Sequence, residues 1–149
     1  MNIKECLYNK CQEFINNRLH TIQHTIGEIQ KALLSETKSS AGDKHETGRA
    51  MLQLEREKAG QQLAEIQKVK EVLAKINLDE ASKTIRLGSI VYTSQANYFI
   101  AISAGEIRVD NTSYFAISPK TPIGQLLVSK KIGDVVVFRE NNITIQTVL

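Results

Sequence analysis

Ile15, Leu19, Ile22, Ile26, Ile29 and Leu33 advance along the chain by steps of 4, 3, 4, 3 and 4. An apolar residue every 3.5 positions is the seam of a coiled coil. It makes residues 3–34 one long helix whose stripe needs a partner. The pattern returns over residues 46–76, where Leu52, Ala59, Ile66 and Leu73 lie seven apart and Leu63 and Ile76 add the second seam position. Arg56 and Lys70 fall where apolar residues are expected. Gly27 and Gly60 each weaken their helix by roughly 1 kcal/mol against Ala. Between the two patterns lies "SETKSSAGDK", rich in helix breakers. A short connection between two long amphipathic helices implies an antiparallel hairpin. Thirty residues of helix make a rod about 45 Å long.

"NLDEASK" (77–83) ends the helical pattern, and the period then changes to two. "IRLGSIVYTS", "NYFIAIS", "EIRVDNTSYFAIS" and "DVVVFRENNITIQTVL" are β-branched or aromatic runs separated by turn signals, with "RENN" as a hairpin turn. One helix interrupts them at "TPIGQLLVSKK", with Thr121 as N-cap and Pro122 at the first helical position. The fold class is therefore α+β. Residues 1–76 form the helical hairpin with its tip at 37–46, residues 77–84 a linker, and residues 85–149 a small, mostly antiparallel sheet domain with one helix. A domain that small has a thin core.

Charged residues make up 23% of the chain and hydrophobic residues 42%, which suits a folded soluble protein and excludes disorder. Aromatic residues are only 5% and Trp is absent, which argues against a base-stacking surface or a proline-binding pocket. The net charge of +3 does not by itself indicate nucleic-acid binding. Cys6 and Cys11 are five apart on a helix and point in different directions, so they read as reduced thiols. No membrane-length apolar run occurs, and "MNIKECLYNK" lacks the apolar stretch of a signal peptide. The expected compartment is the cytoplasm, with neither a membrane nor a small-molecule substrate as partner.

The stretch "SSAGDKHETGRA" is the candidate for chemistry, and it also reads as an ordinary helix start. Asp43 and Glu46, three apart at a helix start, read first as a capping box; the alternative is a pair of carboxylates facing one way from a tip. Since a carboxylate has about four acceptor sites, the two readings are compatible. Lys38, Lys44 and Arg49 balance Glu36, Asp43 and Glu46 over residues 35–49. His20 and His24 have metal-pair spacing but no third ligand. His45 lies between the carboxylates, where it either tunes them or is simply a tip residue.

The run "TPIGQLLVSKKIGD" (121–134) resembles the C-terminal signature of the GreA/GreB family of bacterial transcript-cleavage factors. That signature reads Ser-Pro-Leu/Ile-Gly-Arg-Ala-Leu-Leu-Gly-Lys-Lys-Val-Gly-Asp. Thr121, Pro122, Ile123, Gly124, Leu127 and Lys130 through Asp134 match it or are close replacements, without a gap. The family's hairpin tip, Gly-Asp-Leu-x-Glu-Asn, is similar to Gly42-Asp43-Lys44-His45-Glu46-Thr47. Where the family continues Asn-Ala-Glu-Tyr, this chain has Thr47-Gly48-Arg49-Ala50.

The resemblance implies an FKBP-like C-terminal domain that docks on RNA polymerase through Thr121, Pro122, Ile123 and Gly124. It also implies a coiled coil that enters the polymerase secondary channel and reaches the nascent RNA 3′ end of a backtracked complex. The chain would not be an enzyme itself but would stimulate the intrinsic endonuclease of the polymerase. In two-metal phosphodiester hydrolysis, Asp43 would help hold a second Mg²⁺ of the polymerase site and Glu46 would orient or deprotonate the attacking water. No cofactor is implied other than that Mg²⁺. Arg49, Arg56 and Lys58 would contact RNA; taken alone, the run "EREK" reads rather as a solvated helix face. Lys130 and Lys131 read either as polymerase contacts or as charges at a helix C-terminus. An alternative function is a Gre-like secondary-channel regulator that binds polymerase without promoting cleavage, motivated by residues 47–50 and the neutral tip. A helical scaffold unrelated to transcription is a third.

Overall fold

The computed structural model describes the backbone of residues 2–38 and 43–149, with side chains described for 2–36 and 47–149. Helix α1 spans Ile3–Lys38 and α2 spans Asp43–Ala74. Six strands follow: β1 (Ile90–Thr93), β2 (Asn97–Ile100), β3 (Gly105–Val109), β4 (Thr112–Ile117), β5 (Val135–Phe138) and β6 (Asn141–Val148), with α3 (Pro122–Leu127) between β4 and β5. The fold is α+β. Two compact units are present: Ile15–Val69, and Met1–Phe14 together with Lys70–Leu149.

The first unit contains only α1 and α2. Ile15, Ile22, Ile26 and Ile29 are buried on one helix, and Ala59 and Ile66 on the other. Among the described residues of this unit, each stripe has the opposite helix to pack against. Lys70 is exposed and Val69 is half-buried, so the seam in α2 steps from Ile66 to Val69 rather than to Lys70. The expected polar defect at Lys70 is thereby avoided. Arg56 does remain at its seam position, half-buried. Its guanidinium Nη1 lies 3.1 Å from where a Cβ would sit at Gly60. The glycine that weakens α2 gives that side chain room to lie along the helix. The exposed pairs Glu28–Lys31 and Glu65–Lys68, both at 3.5 Å, contribute little.

In the other unit, α1 starts from an Asn2 cap whose Oδ1 accepts the Glu5 amide hydrogen at 2.8 Å. Its first turns contribute Leu7 and Cys11, both fully buried, and the end of α2 contributes Leu73. The sheet has the order β3-β4-β2-β1-β6-β5. All its pairings are antiparallel except β2 with β4, which run parallel. The β3–β4 hairpin is the reason, since it inserts β3 as an edge and returns β4 beside β2.

The third apolar run of the sequence is thus two strands. Asp110 and Asn111 turn between them with φ of 50° and 64°, the left-handed pair that a two-residue hairpin requires. Arg139 and Glu140 do the same between β5 and β6, at φ of 51° and 68°. One sheet face packs with α3 into a core of Ile85, Val91, Ile100, Ile123, Leu127, Val136, Ile143 and Ile145. Ile90 and Phe99, of opposite parity to Val91 and Ile100, are fully buried on the other face. Each such side chain contributes roughly 1.5–3 kcal/mol.

Both cysteines are free, Cys11 buried and Cys6 half-buried. Burial pushes the Cys11 thiol up to about 12, so it stays protonated at neutral pH. Alkylation of the native protein at mildly basic pH should therefore modify Cys6 at least about tenfold faster than Cys11. Mass spectrometry of the labelled peptides reads the ratio, and equal rates would contradict this packing.

Candidate functional site

The backbone of α2 begins at Asp43, immediately after residues 39–42 that connect it to α1. The carboxylate-bearing positions Asp43 and Glu46 therefore occupy its first turn, three apart on one face. Their side chains, and that of His45, lie outside the described residues, as does the capping-box question. The nearest described cross-helix geometry is at Gly48. A Cβ there would meet the Glu36 carboxylate at 3.5 Å, an ordinary contact. The last turns of α1 thus lie against the second turn of α2.

The three basic positions do not form one patch. Arg49 and Arg56 are seven apart and fall within about 20° on the helix. Lys58, two beyond Arg56, lies about 200° further round. Arg49 and Lys58 are exposed and Arg56 half-buried. His20 and His24 are both exposed on α1. Among the described residues no group of three or more His, Cys, Asp or Glu is placed to hold a metal ion.

The segment 121–134 is built from its own sequence. Thr121 caps α3: its Oγ1 accepts the Gly124 amide hydrogen at 3.1 Å and donates to the Ser118 carbonyl at 2.8 Å. Pro122 follows at the first helical position, where no amide hydrogen is missed. Ile123 and Leu127 point into the core. Gly124 is packed against backbone, with a Cβ there falling 2.3 Å from the Ser118 carbonyl oxygen. Of the four positions Thr121 to Gly124, Pro122 alone is exposed and Thr121 half-buried.

Just past α3, Ser129 adopts φ of 75°. Lys130 donates its amide hydrogen to the Leu127 carbonyl at 3.0 Å and Lys131 is exposed. The turn Lys131–Asp134 has Gly133 at φ of 91°, as a type II turn needs in its third position. The Asp134 carboxylate closes it by accepting the Lys131 amide hydrogen at 2.9 Å.

Ser129 stands where the Gre signature has glycine, in a conformation that disfavours a Cβ. Ser129→Gly should stabilise the protein by about 0.5–1 kcal/mol. A higher urea midpoint is the expected reading, and a lower one would contradict the backbone described here.

Sequence reasoning did not identify the surface of β5. Val135 and Val137 alternate outward on this edge strand at 55% and 59% exposure, and Ile132 in the preceding turn is 60% exposed. Alternation within "VVVF" is silent when every position is apolar, so the outward face could not be chosen from sequence. Among the described residues no helix is long and apolar enough to cross a membrane.

Fold and site together define an α+β chain with two long helices followed by a six-stranded sheet. The sequence matches no family model and no curated protein sequence. Among solved structures, that of the transcription factor Gfh1 is similar at 18% identity, over 90% of this chain and 88% of that one, with a TM-score of 0.36.

Proposed function

We propose that this chain is a Gre-type transcription elongation factor of the cytoplasm, whose helical pair enters the secondary channel of RNA polymerase and stimulates cleavage of backtracked RNA. One observation carries the reading: Asp43 and Glu46 occupy the first turn of the second long helix, directly after a connection of residues 39–42. Hard oxygen donors at that position suit Mg²⁺, which is typically held by one or two carboxylates plus substrate phosphate. Asp43 helps hold the polymerase's second Mg²⁺, and Glu46 orients the attacking water. The chain supplies no active site of its own; the hydrolysis belongs to the polymerase. The sheet-containing unit docks on the polymerase, with Pro122 as the exposed member of Thr121 to Gly124. The test is a halted, backtracked complex with Mg²⁺, in which added protein shortens the RNA. Absence of shortening by the wild type removes the cleavage reading.

A second reading has its own observation. Arg49 stands where the family has a carboxylate, exposed and one helical turn beyond Glu46 on the same face. A cation there opposes metal binding by the pair. On this reading the chain occupies the channel without promoting cleavage. It would then inhibit a cleavage-competent factor in the same assay while producing no short RNA alone.

A further inference from the structure

A hollow of about 200 Å³ lies within the sheet-containing unit. The first turn of α1 brings Lys4 to it, the residue after α2 brings Lys75, and the following segment brings Asn77, Glu80, Arg86 and Ser89. Three cations thus meet one carboxylate. Glu80 Oε2 holds Arg86 Nη2 at 2.9 Å, which neutralises one of them. Among the described residues, Lys4 Nζ makes only a long contact, 3.4 Å, to the Glu80 carbonyl oxygen. Asp79 lines a neighbouring hollow.

We propose that this hollow is a binding site for a phosphate group, held by Lys4, Lys75 and Arg86. The donors suit it. Arg86 offers a planar guanidinium and the lysines mobile ammonium groups. Ser89 is 3% exposed, and its Oγ accepts the Arg86 amide hydrogen at 3.0 Å. Neither the Ser89 hydroxyl hydrogen nor the Leu87 amide hydrogen has an acceptor among the described residues. Burial, and then the charge of Arg86, hold the Lys4 ammonium below its usual pKa. The like-charge part of that strain is what a bound anion relieves. The hollow has no aromatic lining and is smaller than drug-sized pockets of about 300 Å³ and above. It therefore fits a phosphate or diphosphate, free or carried on a nucleic-acid backbone, rather than a nucleobase. This site is independent of the carboxylates of α2 and does not depend on the cleavage reading.

The experiment titrates the full chain with inorganic phosphate, with diphosphate and, in a separate arm, with a short single-stranded RNA. Sodium chloride at matched ionic strength is the control, and the readout is the NMR shifts of the Leu87, Gly88 and Ser89 amides. Saturable shifts are expected. Lys4→Gln and Lys75→Gln should each weaken binding about tenfold. Glu80→Gln should strengthen it by freeing Arg86. Saturation by the free anions assigns the site to a small phosphate ligand, and saturation by RNA alone assigns it to a backbone phosphate; either supports the proposal. No saturation in any arm overturns it. So does unchanged affinity in the two lysine variants, whose fold circular dichroism checks.

Discussion

Gly124→Ala should destabilise the sheet-containing unit by about 2–4 kcal/mol, read as a lowered urea midpoint. The added Cβ would lie 2.3 Å from the Ser118 carbonyl oxygen, 2.8 Å from Thr121 Oγ1 and 3.0 Å from Pro119 Cα. Two of these neighbours are backbone, so no side-chain rotation relieves the clash. The Ser118 carbonyl cannot simply retreat, because it accepts both the Thr121 amide hydrogen at 3.1 Å and the Thr121 hydroxyl at 2.8 Å. Moving it loosens the cap of α3. It also loosens the seating of Ile123 and Leu127, which α3 presents to the core. Ser129→Gly, five residues further along the same motif, should act in the opposite direction. An unchanged midpoint for Gly124→Ala would show that α3 is not seated as described.

This prediction separates two things that one motif carried at once. "TPIGQLLVSKKIGD" resembles a polymerase-docking signature, yet most of its residues have a local structural cause. Thr121 is a cap, Pro122 a first-turn residue, Ile123 and Leu127 core, Gly124 a close approach and Gly133 the third position of a turn. Such causes are local in sequence, so they are legible in sequence. The heptad stripes were legible for the same reason, because a 3.5-residue period can serve only a helix with a partner.

The misreadings have equally local causes. The seam passes through Val69 rather than Lys70 because a step of three from Ile66 buries an apolar side chain and leaves the lysine in water. The turn at Asp110–Asn111 was hidden inside one apolar run because the strands on both sides of it are β-branched or aromatic. The outward face of β5 and the cation cluster around Arg86 were not legible at all. The first needs knowledge of which side the core takes. The second joins Lys4 to residues more than seventy positions away.

Asp43→Asn and Glu46→Gln should each reduce stimulated RNA cleavage about 100-fold or more while leaving polymerase binding unchanged. The size follows from the roles proposed for them, since removing a positioned general base typically costs 10²–10⁴-fold. Each substitution is nearly isosteric and sits in the first turn of α2, far in sequence from the segment proposed to dock. A helix cap read at the same two positions makes a different prediction. Losing a cap costs about 1 kcal/mol of stability and leaves no trace in a cleavage assay run well below Tm. The two roles are therefore separable in one pair of variants, by comparing RNA shortening with the thermal midpoint. Arg49 supplies the sign test between the two functional readings. If the wild type already cleaves, Arg49→Glu changes little. If it only blocks the channel, replacing that exposed cation with the carboxylate found in the family should begin to restore cleavage. A variant that still blocks without cleaving would place the cause in the neighbouring residues, Thr47 and Gly48, where the chain also departs from the family pattern.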